Sequence, residues 1–218
     1  MTESSHGRLF RVLRACARLV CLPRRYRVIR CGEDASADHQ GPVVYVSRHQ
    51  NLFGPTMTMM WFPGRFRIWV YHVFINPETS YQHFVNYTFT QRFGWRETWA
   101  KIVAWPLSYG FAVLLRSARC IPVYRGSRQI IDTLKQTVQA LQDGCSVFIF
   151  PDVEYQDASA ETGDLYKGFL QLDKYVQRAT GQHVRFVPVY VSRRKRAFFI
   201  GDPICFRADE HFQQERNV

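Results

Sequence analysis

The 218-residue chain has no stretch approaching the roughly 20 consecutive apolar residues that a membrane-spanning helix requires, so no crossing of a bilayer is expected. Its longest apolar segment, Ile102 to Leu115, is too short to cross and suits a buried or an interfacial helix, with Trp99, Trp105 and Tyr109 beside it. Paired cysteines are also missing. The six cysteines, at 16, 21, 31, 120, 145 and 205, form no C-x-x-C and have no histidine cluster near them, which argues against zinc. Several sit in apolar runs as free thiols, and Arg8, Arg11, Arg14 and Arg18 interrupt the N-terminal apolar run, so no secretory signal is expected. The compartment reads as reducing and cytoplasmic. Internal repeats, low-complexity tracts and linkers are absent, which leaves one α/β domain over residues 25–218 behind an N-terminal segment, 1–24.

Negative charge is scarce. Lys and Arg number 29 against 18 Asp and Glu, a net charge of +11, and aromatic residues make up 15%. Such a chain calls for a polyanionic partner. No helix-turn-helix, zinc finger or RNP-type signature is present, and the arginines alternate with Leu, Val, Phe and Trp. That pattern disfavours nucleic acid and favours an anionic membrane surface. The arginines at 8, 11, 14 and 18 recur at helical spacing, with Leu9, Phe10, Leu13, Ala17 and Val20 on the flank and opposite side. This amphipathic helix either lies in a headgroup layer with its charges against phosphates or packs on its own domain with a solvated basic face.

Strand-like and helix-like segments alternate. The periodicity predicts strands near 26–31, 42–46, 67–72, 119–124, 146–150 and 184–191. Helices are predicted over 7–22, 55–63, 79–92, 97–117, 127–143 and 163–179, and Ala197–Ile200 with Ile204–Phe206 reads as a hairpin or two edge strands. Alternation of this kind implies a mixed, mostly parallel sheet flanked by helices. Ligands of such sheets collect at the carboxyl ends of strands, where His49, Arg125 and Asp152 fall. A histidine delivered into a small-residue turn, Asn51-Leu52-Phe53-Gly54-Pro55, is placed for general-base work. Phe53, Met57, Met59, Met60 and Trp61 follow it on one apolar helix as liners of a pocket or as core. The acidic loop with Asp152, Glu154, Asp157, Glu161 and Asp164 lacks EF-hand spacing and its central glycine, so no metal site is expected.

Four blocks, in order, resemble the glycerolipid and lysophospholipid acyltransferases of the PlsC type. They are Val43 to Pro55 with Arg48-His49 inside it, Arg119 to Arg125, Ser146 to Asp152 with Lys167-Gly168-Phe169 beyond it, and Val184 to Tyr190. The resemblance implies transfer of a fatty acyl group from a thioester, acyl-CoA or acyl carrier protein, to a hydroxyl of a lysophospholipid or glycerol-phosphate acceptor in phospholipid biosynthesis. It implies no cofactor beyond that co-substrate, and a peripheral place on the cytoplasmic face of a membrane. His49 is then the base, paired with Asp152, and Arg125, Asn51, Gly54, Pro151, Glu154 and Lys167 bind substrate. The sequence departs from the pattern at Gly54, where the family has the Asp that orients the histidine, and at Asp152, Val153 and Tyr155, where it has Glu, Gly and Arg. Another carboxylate, Asp152, Glu154 or Asp157, takes over the orienting role, or a backbone carbonyl does so at reduced rate, or activity is lost. In that last case the chain is a lipid- or acyl-thioester-binding paralogue of the same fold.

Overall fold

The computed structural model describes residues 6–21, 25–31, 41–124, 126–152 and 167–205. Its α-helices are α1 (Arg8–Val20), α2 (Phe53–Trp61), α3 (Pro77–His83), α4 (Glu97–Ser117), α5 (Ile130–Gln142) and α6 (Leu172–Thr180). Its strands are β1 (Arg27–Arg30), β2 (Val44–Ser47), β3 (Phe66–Tyr71), β4 (Ile121–Val123), β5 (Ser146–Ile149), β6 (Phe186–Ser192) and β7 (Ala197–Ile200). The strand order is β1-β7-β6-β2-β5-β3-β4. Every neighbouring pair is parallel except β6 with β7. The expected α/β class with a mixed, mostly parallel sheet is therefore what forms.

The chain divides into two compact units, Met1–Leu13 with Trp69–Thr133, and Arg14–Ile68 with Leu134–Val218. In the second unit, β2 and β5 are the adjacent central strands, with Tyr45 in register with Phe148. Those two rings stack at 4.6 Å, and Phe62 meets Phe148 edge-on at 4.7 Å. Offset and edge contacts of this kind add to the burial of Val44, Val147, Phe148 and Val187, all without solvent exposure. In the first unit, Val85, Phe89, Ala100 and Ala104 form a buried cluster under Tyr81 and Phe84. Helix α3 opens with Pro77 at its start and the Asn76 carboxamide oxygen accepting from the Glu78 N–H, so its first turn is both pre-formed and capped.

Helix α4 takes the expected bounds, but several other expectations change. The segment expected as one helix over 79–92 is α3 followed by a π-helical stretch, Phe84–Arg92. Of the helix expected over 163–179, residues 163–166 lie outside the described residues, and the rest is a 3₁₀ turn, Lys167–Gln171, leading into α6. The hairpin is β6 with β7, not Ala197–Ile200 with Ile204–Phe206. Strand β7 lies between β1 and β6, so it is no edge, and Ile204 makes a single bridge back to Phe186. This break explains how Pro188, which has no N–H, fits inside an interior strand. The β6–β7 register stops at Val189 opposite Ile200, the Gly201 N–H donates to the Pro188 carbonyl, and pairing resumes with Phe186 and Ile204. A Cβ at Gly201 would lie 3.0 Å from the Pro188 ring, so the residue facing the proline must be small.

The arginine stripe of α1 also turns out differently. Arg14 donates to the carbonyls of Met60 and Phe62, and Arg18 donates to that of Met60. These are the unpaired carbonyls at the C-terminal end of α2, where the helix dipole favours cations. Arg14 also lies 5.5 Å from the Phe66 ring centroid and Arg18 5.7 Å from that of Trp61. Burial and then the charge of Arg18 push the Arg14 guanidinium down to about 10, which leaves it charged at neutral pH. Two of the four arginines thus face the protein, and the apolar stripe Leu9, Val12, Leu13 and Leu19 is the one left exposed.

Asp173, in the first turn of α6, is buried and accepts from the Val184 N–H at 2.8 Å and from His183 Nδ1 at 2.8 Å. It ties α6 to the segment leading into β6. Replacing Asp173 by Ala orphans both donors and is expected to lower unfolding free energy by about 3 kcal/mol in urea titrations. The exposed Asp132→Ala should stay within about 0.5 kcal/mol of the parent.

Candidate functional site

Two connections leave the centre of the sheet in opposite directions. From β2 the chain crosses β5 to reach β3, and from β5 it crosses β2 to reach β6. Connections that leave adjacent parallel strands in opposite directions make their carboxyl ends, here those of β2 and β5, a topological switch point. His49 follows β2 and Asp152 follows β5. The two are joined directly: the His49 backbone N–H donates to Asp152 Oδ2 at 2.6 Å, and Asp152 Oδ1 lies 3.6 Å from Arg48 Nε. The carboxylate is buried.

Between His49 and α2 the backbone makes a left-handed turn. Gln50, Asn51 and Leu52 have φ of 47°, 53° and 68°. Asn tolerates this region, but each residue with a Cβ gives up about 1–2 kcal/mol there. The turn is held at several points. Besides the Asp152 bond at its start, the Gln50 carboxamide donates to the Val191 carbonyl at 3.1 Å, and the Gly54 N–H returns to the His49 carbonyl at 3.1 Å. Arg193 donates to the Gln50 carbonyl and sets its guanidinium 4.3 Å from the centroid of Phe53. Stored strain clamped in this way is a property of functional segments.

The turn decides the chemistry of the imidazole. The Leu52 N–H donates to His49 Nδ1 at 3.1 Å. A backbone amide can only donate, so Nδ1 presents its lone pair and the neutral ring carries its proton on Nε2. In this arrangement Nε2–H is a hydrogen-bond donor toward an incoming oxygen. To act as a base through Nε2 the ring must give up the Leu52 bond and move its proton to Nδ1. Phe150 supports the ring edge-on at 5.8 Å and stacks in turn on Phe148.

Gly54 is buried, and the space its side chain would occupy is filled. A Cβ there would sit 2.4 Å from the Arg48 carbonyl oxygen, 3.1 Å from the His49 carbonyl oxygen and 3.3 Å from Phe150. Backbone crowds two of those three directions, so the turn admits no side chain at this position without moving.

Of the other residues singled out by sequence, Pro151 is buried beside Asp152 and Asn51 is exposed in the middle of the turn. Arg125, Glu154 and Asp157 lie outside the described residues, as does the side chain of Lys167, whose backbone opens the 3₁₀ turn. Phe53, Met57, Met59 and Met60 are half-buried and Trp61 is buried. Sequence reasoning did not find Leu52, whose contribution is a backbone N–H, or the seat of Arg193 on Phe53. Burial pushes the Cys120 thiol up to about 12, which removes it as a nucleophile at neutral pH. Among the described residues no group of three or more His, Cys, Asp and Glu could hold a metal ion.

No family model matches the chain, and no curated protein matches it. Among solved structures it is similar to the 1-acyl-sn-glycerophosphate (LPA) acyltransferase PlsC from Thermotoga maritima. The identity is 10% and the TM-score 0.48, with 95% of this chain and 74% of that chain covered.

Placing an aspartate at position 54 should not improve the site. Gly54→Asp is expected to lower thermal stability by about 1–3 kcal/mol through collision with the Arg48 carbonyl. Gly54→Ala should show most of the same loss, since the Cβ is what collides, and thermal unfolding of both variants would show it. Nitrogen-15 NMR of the His49 ring should report the proton on Nε2 in the resting protein.

Proposed function

We propose that this chain is an O-acyltransferase. It transfers a fatty acyl group from acyl-CoA or acyl carrier protein to a hydroxyl of a lysophospholipid or glycerol-phosphate acceptor at a membrane surface. The observation that carries this reading is the junction of two motif blocks, His49 after β2 and Asp152 after β5, through a 2.6 Å hydrogen bond at the switch point of the sheet. The order and spacing of the four blocks from Val43 to Tyr190 also support it.

In the reaction the acceptor oxygen forms a bond to the thioester carbonyl carbon, the carbon–sulfur bond breaks, and the hydroxyl proton passes to His49. The imidazolium then returns that proton to the departing thiolate. This requires His49 Nε2 to be unprotonated at the moment of attack, so the Leu52 bond to Nδ1 must open as the acceptor arrives. Asp152 acts here through the backbone: it fixes His49 Cα and the start of the turn. Acceptor phosphate is met by Arg193, whose guanidinium stands at the turn, a role that the motif resemblance gives to Arg125 and Lys167. No metal or covalent enzyme intermediate enters this scheme.

A second reading rests on two observations at the same turn. The same Leu52 bond, together with the filled space at Gly54, suits a protein that holds an acyl thioester or lysolipid through an Nε2–H donor and does not turn it over.

The two separate in a liposome assay with acyl-CoA and acyl-carrier-protein donors and lysophosphatidic acid and other lysolipid acceptors. Under the transferase reading the parent transfers acyl groups and His49→Ala falls by about 10²–10⁴. Absence of transfer above His49→Ala with every donor, while radiolabelled acyl-CoA or lysolipid still binds, would leave the binding protein as the function.

A further inference from the structure

Over most of its length helix α4 presents large apolar side chains to the outside and small ones to the protein, until Phe111 and Leu115 turn inward near its end. The buried positions are Ala100, Ala104, Ser108, Ala112 and Leu115, a stripe of one residue per turn. At 100° per residue, Trp99, Ile102, Val103 and Tyr109 centre on the opposite side, with Trp105 and Leu107 at the flanks of that arc. Trp105 is 74% exposed, Trp99 61% and Ile102 58%. A helix that served only its own core would show the reverse.

We infer that this face of α4 is a membrane-insertion surface, lying in the plane of an anionic phospholipid bilayer. The inference deepens the membrane-surface element of the proposed function, and α4 rather than the arginine stripe of α1 carries the contact.

Three observations select lipid as the occupant. Two tryptophans and a tyrosine on one face have apolar bodies and a polar edge, the chemistry that settles at the headgroup level. Charged residues are confined to the ends of the helix. Glu97 and Lys101 pair at 2.6 Å in its first turns, Arg116 closes it, and no charged residue lies between Ile102 and Leu115. Cations continue on both sides, Arg92 and Arg96 before and Arg119 after, in a chain of net charge +11, which complements anionic headgroups.

The contact also extends past α4. The N-terminus of α1 is fastened to the end of α4: the Gly7 N–H donates to the Ser117 carbonyl at 2.7 Å and the Phe10 N–H to the Ser117 hydroxyl at 2.9 Å. The exposed Leu9, Val12 and Leu13 of α1 are thus joined to the same helix end.

By length and composition α4 is the one helix among the described residues that could cross a membrane. Its packing argues for lying flat. The alanine stripe rests on the π-helical stretch, through Val85 and Phe89, and that stretch carries exposed Asn86 and Gln91. Crossing would bury those polar groups in hydrocarbon.

The test uses the full chain and vesicles of phosphatidylcholine alone or mixed with phosphatidylglycerol. Partition is read by co-sedimentation, and depth by quenching of tryptophan fluorescence with lipids brominated at different chain positions. The parent should bind the anionic vesicles, with strongest quenching from shallow bromines, and bind phosphatidylcholine more weakly. Trp99→Ser with Trp105→Ser should lower partition at least about tenfold at unchanged thermal stability.

Equal binding by parent and double variant would overturn the inference, as would quenching that peaks at the bilayer centre. A dimer in the parent that the double variant loses would overturn it too, by showing that a second copy covers the face. Partition is independent of catalysis, and transfer to a short-chain, water-soluble acceptor should be equal in parent and double variant. Loss of acyl transfer in every assay with partition intact would therefore count against the transferase reading and leave this one standing.

Discussion

A left-handed turn of three residues with side chains is the constraint on which the rest of the site depends. Left alone, Gln50-Asn51-Leu52 would relax, because its conformation is disfavoured by about 1–2 kcal/mol per residue. It persists because strand ends on both sides hold it. The carboxylate after β5 takes the His49 N–H, the end of β6 takes the Gln50 side chain through the Val191 carbonyl, and Arg193 bonds the Gln50 carbonyl. Each bond is individually worth about 1 kcal/mol, more where a charge is involved. Together they are of the size needed to keep three residues out of the ordinary helical region. The sheet order matters for the same reason: only because β5 and β6 are the two neighbours of β2 do their ends reach the residues that follow it.

Once the turn is set, the identity of residue 54 follows. The chain doubles back so that the Gly54 N–H meets the His49 carbonyl, and the Arg48 carbonyl comes to 2.4 Å from where a Cβ would be. An aspartate that oriented the imidazole from this position would need a different turn. A carboxylate does reach this histidine, but from a neighbouring strand end and at its backbone N–H. Asp152 holds the backbone, while the ring is oriented by the Leu52 amide, which fixes the opposite tautomer from the one a carboxylate on Nδ1 would select. Gly54 and the Leu52 bond are therefore two consequences of one backbone path.

Much of this architecture was legible in the residues, for identifiable reasons. Apolar runs such as Val43–Val46 and Ser146–Phe150 are short, rich in β-branched or aromatic residues and bounded by polar turns, so their strand character is local information. Helix α4 matched to the residue because it begins at Glu97, in a first turn that favours acids, and ends where Arg119 turns to positive φ. The left-handed turn was not legible, since Gln-Asn-Leu contains no glycine to announce it. Its conformation is set by partners 103 and 141 residues away. Pro188 was equally opaque: its tolerance within β6 depends on a break in β7 that no local pattern near residue 188 encodes.

Helical periodicity has a more general limit, seen in both α1 and α4. It identifies stripes, and the ordinary rule assigns the apolar stripe to the inside. In α1 the rule fails because unpaired carbonyls at the end of α2 attract Arg14 and Arg18 more strongly than the core attracts Leu9 or Val12. In α4 it fails because the first turns approach Val85 and Phe89 of the π-helical stretch through Ala100 and Ala104, which leaves Trp99, Ile102 and Trp105 outward. Leaving that much apolar surface in water forgoes roughly 25 cal/mol for every Å². Two helices with the same inversion, fastened to each other at Ser117, carry a hydrophobic cost that the fold itself does not offset. The lipid contact proposed for α4 would offset it by covering both exposed stripes.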